Sequence, residues 1–135
     1  MAEANGIFEV VDWKEDAYEQ LPDGGKLSEA KVRQRFTGGI TGEGTVVWLM
    51  AYTSKDRAQF VGIQRIVGTI DGRKGSFLAE TSGHFDGTMA RWQASIIANS
   101  GTDQLAGISG EGTFQAPHGS KAEYRVDYTL EAKLR

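Results

Sequence analysis

His84 and His118 are the only two histidines in a 135-residue chain that has no cysteine. At most two imidazoles are therefore available as metal ligands or general bases. Without cysteine there is no thiolate nucleophile, no disulfide framework and no Cys-rich zinc site. His118 follows Pro117 and precedes Gly119-Ser120, a turn context. His84 falls on the outer face of its segment by alternation, and only a bulge near Gly83 would turn it inward. A metal site would need carboxylate partners such as Glu80 or Asp86. Glu80 and His84 lie on one face of an extended segment but about 13 Å apart by strand rise, too far to chelate one ion. No metal site and no cofactor is expected. Ser76 sits in Gly75-Ser76-Phe77, which lacks the Gly-x-Ser-x-Gly turn of a hydrolase nucleophile.

Polar groups on otherwise apolar faces are more informative. Gln64 shares a face with Phe60, Gly62, Ile66 and Gly68. If that face is interior, its amide needs a partner from protein or ligand. The same holds for Thr81, Tyr124 and Tyr128. Together with Phe77, Phe85 and Trp92 they would form an apolar pocket with a few polar anchors, the usual form of a small-molecule site. The alternative is that the aromatic rings fill the interior and the hydroxyls bond to backbone. The opposite strand parity would place Arg65, Arg91 and Glu80 inside, a charged lumen suited to acid-base work.

The elements that position these residues are strands. Eight candidate segments run over Ile7 to Lys14, Ser28 to Thr41, Gly44 to Ser54, Ala58 to Ile70, Lys74 to Phe85, Thr88 to Ala98, Ile108 to Ala116 and Ala122 to Leu134. The chain has 18 glycines and only 2 prolines, so the glycines read as turns spread along the sequence. Asp71-Gly72 and Asp86-Gly87 suit tight hairpins. Gly42-Glu43-Gly44 and Ser54-Lys55-Asp56 also read as turns. No segment sustains a helical apolar period. One short helical turn is predicted at Thr102 to Ala106, with Thr102 as N-cap and Gly107 as its stop. Asp16 to Leu21 is a second candidate turn, and Asp16 to Lys26 reads as the longest connector, able to lid one end.

In the last segment Tyr124, Val126, Tyr128, Leu130, Ala132 and Leu134 share one face and charged or polar residues the other. Ala90, Trp92, Ala94, Ile96 and Ala98 share a face of the sixth, and Gly75, Phe77, Ala79, Thr81, Gly83 and Phe85 a face of the fifth. Small residues mixed with aromatics suit the narrow lumen of a small barrel. The expectation is an all-β, eight-stranded antiparallel barrel occupying residues 1–135 as one domain. Val46 to Tyr52 and most of Ala58 to Ile70 are apolar on both faces, which predicts that a second subunit covers the outside and that the protein is a homo-oligomer, the alternative being packing under the N-terminal segment or a long loop.

A balance of 15 basic and 18 acidic residues, net −3, argues against nucleic acid as a partner. The longest apolar run has seven residues, Val46 to Tyr52, far below the ~20 of a membrane span, so no membrane association is expected. Met1-Ala2-Glu3-Ala4-Asn5 has neither the basic start nor the apolar stretch of a signal peptide, which makes the cytoplasm the default location.

The stretch Val61-Gly62-Ile63-Gln64-Arg65-Ile66-Val67-Gly68-Thr69-Ile70-Asp71-Gly72-Arg73-Lys74-Gly75-Ser76-Phe77 resembles the DUF3224 family. So do Ser100-Gly101-Thr102, the run Leu105-Ala106-Gly107-Ile108-Ser109-Gly110-Glu111-Gly112, and the closing Tyr128-Thr129-Leu130. Trp13-Lys14-Glu15 and Phe36-Thr37-Gly38 fit as well. The resemblance implies an allene oxide cyclase-like barrel, often oligomeric, and supplies no activity, because the family's function is unknown. No catalytic residue of a cyclase carries over onto this chain. The Gly-rich 101–112 segment reads as structural, since no Gly-Lys-Ser/Thr or strand-to-helix context supports phosphate binding.

Three functions follow. The first is a barrel that binds a small apolar or amphipathic molecule in its lumen. The second is a cyclase or isomerase working in that lumen by shape and one or two polar groups. The third is an oligomeric structural protein with a filled barrel.

Overall fold

The computed structural model describes residues 2–117 and 121–130. Its strands are β1 (Ala2–Gln20), β2 (Lys26–Gly38), β3 (Ile40–Ser54), β4 (Arg57–Ile70), β5 (Arg73–Phe85), β6 (Met89–Ile96), β7 (Ile108–Pro117) and β8 (Ala122–Leu130). They close in sequence order, each antiparallel to its neighbours, into one eight-stranded barrel. Two lone 3-10 turns, Pro22–Gly24 and Asp103–Leu105, are the only helical geometry among the described residues. No helix there is long and apolar enough to cross a membrane.

Alternation explains which side chains fill the barrel. Along β8, Tyr124, Val126 and Tyr128 are buried while Glu123 and Arg125 are exposed. Phe77, Ala79 and Thr81 of β5, and Trp92 and Ala94 of β6, point inward in the same way. Ala132, Leu134 and His118 lie outside the described residues.

Seven aromatic rings meet along the axis. Trp92 stacks on Phe114 with ring centroids 5.2 Å apart, and Phe8, Phe36, Trp48, Phe60 and Tyr124 pack around them at 4.7 to 6.3 Å. Offset and edge-on contacts of this kind add to simple burial. The middle of the barrel is thus filled.

One end is closed by the β6–β7 connection, the longest in the described chain. It carries the 3-10 turn, with Thr102 at the N-cap position as expected. The Thr102 hydroxyl, however, does not cap the turn. It bonds the Ser76 amide at 3.0 Å and the Ser76 hydroxyl at 2.8 Å, tying the connection to β5. Leu105 is then buried against Gly75 of β5 at 1% exposure. Gly75 makes room for this plug: a Cβ there would stand 2.2 Å from the Thr102 carbonyl oxygen and 3.0 Å from Leu105.

Several boundaries depart from the sequence reading. Asp16 to Leu21 is not a turn; β1 continues to Gln20, and only residues 21–25 connect it to β2. The long lid over Asp16 to Lys26 is therefore replaced by a five-residue link. Gly42-Glu43-Gly44 lies inside β3, and the β2–β3 reversal is at Gly38-Gly39. Gly42 is needed where β3 passes close to β4, opposite Gly68, with a Cβ position 2.1 Å from the Val67 carbonyl oxygen. By contrast Asp71-Gly72 is the tight turn expected, with φ of 48° and 85°.

β1 carries two further features. A register shift between Val10 and Asp12 breaks its alternation. Among the described residues it pairs with β8 over Ala2 to Phe8 and with β2 over Gly6 to Gln20.

Candidate functional site

The register shift in β1 decides what faces the second end of the barrel. Before it, Ala4 and Phe8 point inward. After it, Trp13 pairs with buried Val32 and Glu15 with buried Ala30, so odd-numbered side chains turn toward the lumen. Trp13 consequently meets Trp48 with centroids 5.9 Å apart.

This end holds a cavity of about 250 Å³, lined by Trp13, Trp48, Met50, Phe60, Phe85 and Trp92, with Tyr52 and Ala116 at its margin. Its wall is almost wholly apolar. Trp13 is 43% exposed and Tyr52 and Phe85 are half-buried, so the cavity opens at the barrel mouth. An apolar cavity of ~150 Å³ admits benzene, and pockets for drug-sized ligands begin near ~300 Å³. The space here suits a small ring or a short chain.

Two polar features lie near it, one buried behind its wall and one at its rim. Trp92 is 3% exposed, and its indole Nε1 has no hydrogen-bond partner. A buried donor without an acceptor is costly and calls for one. At the rim, the Glu15 carboxylate accepts from the Ser28 hydroxyl at 2.5 Å, the Trp13 indole at 3.0 Å and the Tyr52 hydroxyl at 3.3 Å. Burial, followed by the hydrogen bond to Glu15 and the Glu15 charge, pushes the Tyr52 phenol up to about 12. The Lys26 ammonium lies 4.8 Å from the centre of the Tyr52 ring.

All seven residues singled out in the sequence face the lumen side of their strands, but only Phe85 and Trp92 line this cavity. The others are spread along the barrel. Gln64 is fully buried and donates to Gln34 Oε1 at 2.7 Å. The Thr81 hydroxyl accepts from the Trp48 indole and donates to the Gly62 carbonyl, each at 3.0 Å. The Tyr124 hydroxyl donates to the Thr37 carbonyl at 2.8 Å and accepts from the Ile40 amide at 2.8 Å. Tyr128 donates to Asp71 at the plugged end. Burial, then the bond to Asp71, raises the Tyr128 phenol; burial raises that of Tyr124. Phe77 packs in the core at 2% exposure. His84 is exposed on the outer face, opposite Arg91 and Gln59.

Glu15, Tyr52, Trp13 and Ser28 were not singled out by the sequence reading. Simple alternation from Phe8 would put Trp13 and Glu15 outside. The available signal was the apolar pair Val10-Val11 between an even-numbered inward residue, Phe8, and an odd-numbered aromatic, Trp13.

A larger depression, about 1060 Å³, lies on the outer face, lined by residues such as Val61, Ile63, Glu80 and Glu111. It is open to solvent and mixes charges with apolar groups. The smaller mouth cavity is the better-formed site.

No curated protein matches this sequence significantly. Among solved structures, a protein with unknown function from the DUF3224 family from Shewanella oneidensis MR-1 superposes with a TM-score of 0.81. The match covers 98% of this chain and 99% of the other, at 24% sequence identity, and bears on the fold alone. The family described as DUF3224, protein of unknown function, matches residues 4–128, and the chain belongs to it.

Proposed function

We propose that the mouth cavity binds a small apolar or amphipathic molecule carrying one hydrogen-bond acceptor. The observation that carries this reading is the almost wholly apolar space of about 250 Å³, walled in part by Trp92, whose buried indole Nε1 has no partner. A ligand carbonyl or ether oxygen would take that proton once the Trp92 ring turned its buried Nε1 toward the cavity, while its hydrocarbon part fills the space between Trp13, Trp48 and Phe60. Of the lumen residues named from the sequence, Trp92 and Phe85 would touch the ligand. Gln64, Thr81, Phe77, Tyr124 and Tyr128 would shape the barrel behind them.

The test compares cyclohexanone with methylcyclohexane, two probes of similar size of which one lacks an acceptor. Titration followed by tryptophan fluorescence and by chemical shifts should show tighter binding of the ketone. Trp92→Phe keeps a ring and removes the donor, so the preference should disappear. Equal binding of both probes to the native chain would remove the role given to Trp92, and binding of neither would remove the site.

The second reading is an isomerase or cyclase acting in the same cavity, in keeping with a relationship to the allene oxide cyclase-like barrels. Glu15, hydrogen-bonded to Tyr52 at the rim, favours it. A carboxylate and a phenol beside an apolar space could hold and move one proton of a bound substrate. Turnover of a bound carbonyl compound that is lost in Glu15→Gln, with ligand affinity retained, separates this reading from simple binding.

A further inference from the structure

The outer face of β3 and β4 carries four large apolar side chains in the open. Val47, Leu49, Val61 and Ile63 are 43%, 51%, 54% and 48% exposed. Val47 lies directly opposite Ile63 and Leu49 opposite Val61, so the four form one contiguous block. The flanks of that block are charged in an ordered way. The pairing registers place Lys14, Lys31, Val47, Ile63 and Glu80 side by side across five strands. One row thus runs from two adjacent lysines, through an apolar centre, to a carboxylate. It continues through Ser95 to Glu111 and Asp127. Neither Lys31 nor Glu80 belongs to an ion pair among the described residues. Lys14 and Lys31 stand directly opposite each other, an arrangement that is unfavourable in an isolated sheet.

We infer that this face packs against the same face of a second copy, about a two-fold axis running along the strands between β3 and β4. Such an axis lays β3 of one copy over β4 of the other and β2 over β5. Val47 then meets Ile63, and Leu49 meets Val61. Lys31 meets Glu80, and by symmetry the pair forms twice, as an isologous contact requires. The neighbouring rows are compatible. Glu29 faces Ser82, Thr45 faces Arg65 and Arg33 faces Leu78, with no like charges opposed. A bilayer does not fit, because a membrane barrel needs an apolar band all the way round, and the same row bears Lys14, Lys31, Glu80 and Glu111 on the other strands. A small-molecule site does not fit either, since the depression that these residues line is open to solvent and mixes charged with apolar groups.

The experiment is sedimentation of the full chain over a concentration series, with circular dichroism to confirm that each variant keeps the barrel. The native chain should show a reversible monomer–dimer equilibrium, on the order of micromolar. Lys31→Glu and Glu80→Lys should each weaken it about tenfold or more, because like charges then confront each other twice. The double variant Lys31→Glu/Glu80→Lys should recover most of the loss. Leu49→Lys should give a folded monomer. A native chain that stays monomeric throughout overturns the proposal. So does a double variant as weak as its parents, above all if Lys31→Glu/Glu29→Lys recovers instead, which would require an axis across the strands.

Discussion

The side-chain amide of Gln64 donates to Oε1 of Gln34 across the barrel interior at 2.7 Å, and both residues are fully buried. The contact uses half of each amide. Gln34 Nε2 and Gln64 Oε1 have no partner. The pair therefore holds β2 to β4 through one bond while carrying two unsatisfied groups in the core.

Removing one member makes this worse, and removing both makes it better. Gln34→Leu or Gln64→Leu alone should cost about 1–3 kcal/mol, since the remaining amide loses its last partner. The double variant should lie within about 1 kcal/mol of the native chain, or above it. Urea unfolding of all four proteins gives the coupling. Additive losses in the double variant would show that the amides act independently.

Leu105 closes one end of the barrel, and Leu105→Ala should cost about 2–5 kcal/mol, as for other fully buried leucines. Gly75→Ala should cost about 1–3 kcal/mol by a different route, because its methyl would displace the Thr102 carbonyl. If both act on the same plug, the double variant should lose less than the sum. Thermal unfolding of the three variants decides it.

Tyr52 sets an alkaline limit. Its phenol is pushed up to about 12 from the ordinary 10.0, so the folded chain holds this proton after the unfolded chain has released it. The resulting stability is complete below pH 10 and is lost as pH rises toward 12. Tyr52→Phe keeps the ring and has no proton to lose. Between pH 10 and 12 its urea midpoint should fall less steeply than that of the native chain. Parallel curves would mean that Tyr52 ionises with equal ease folded and unfolded.

Filling the mouth cavity should separate stability from binding. Ala116 lies at its margin, and Ala116→Leu would occupy part of the space. The variant should gain about 0.5–2 kcal/mol and lose its affinity for cyclohexanone. Retained affinity would place the probe elsewhere.

The barrel itself was readable because its rules are local. Period-two alternation assigned the inward faces of β5, β6 and β8, and the Asp-Gly pairs located two of the hairpins. The same reasoning mistook Gly42 for a turn, since a glycine that permits close passage of two strands looks like one that permits a reversal. The partner of Gln64 lies 30 residues away and exists only once β2, β3 and β4 are in register. The mouth depends on a single extra residue in β1, which reverses the parity from Asp12 to Ala17, until a second register shift before Glu19. Trp13 and Glu15 could be placed only by knowing where that residue sits.

The plug at the other end has its own consequence. Thr102 ties the β6–β7 connection to Ser76, and Leu105 sits buried behind it. The interior is then a blind well, stoppered at Leu105 and open at Trp13. Solvent and any guest reach the aromatic rings from the Trp13 end, and hydrogen exchange should be faster there than around Leu105.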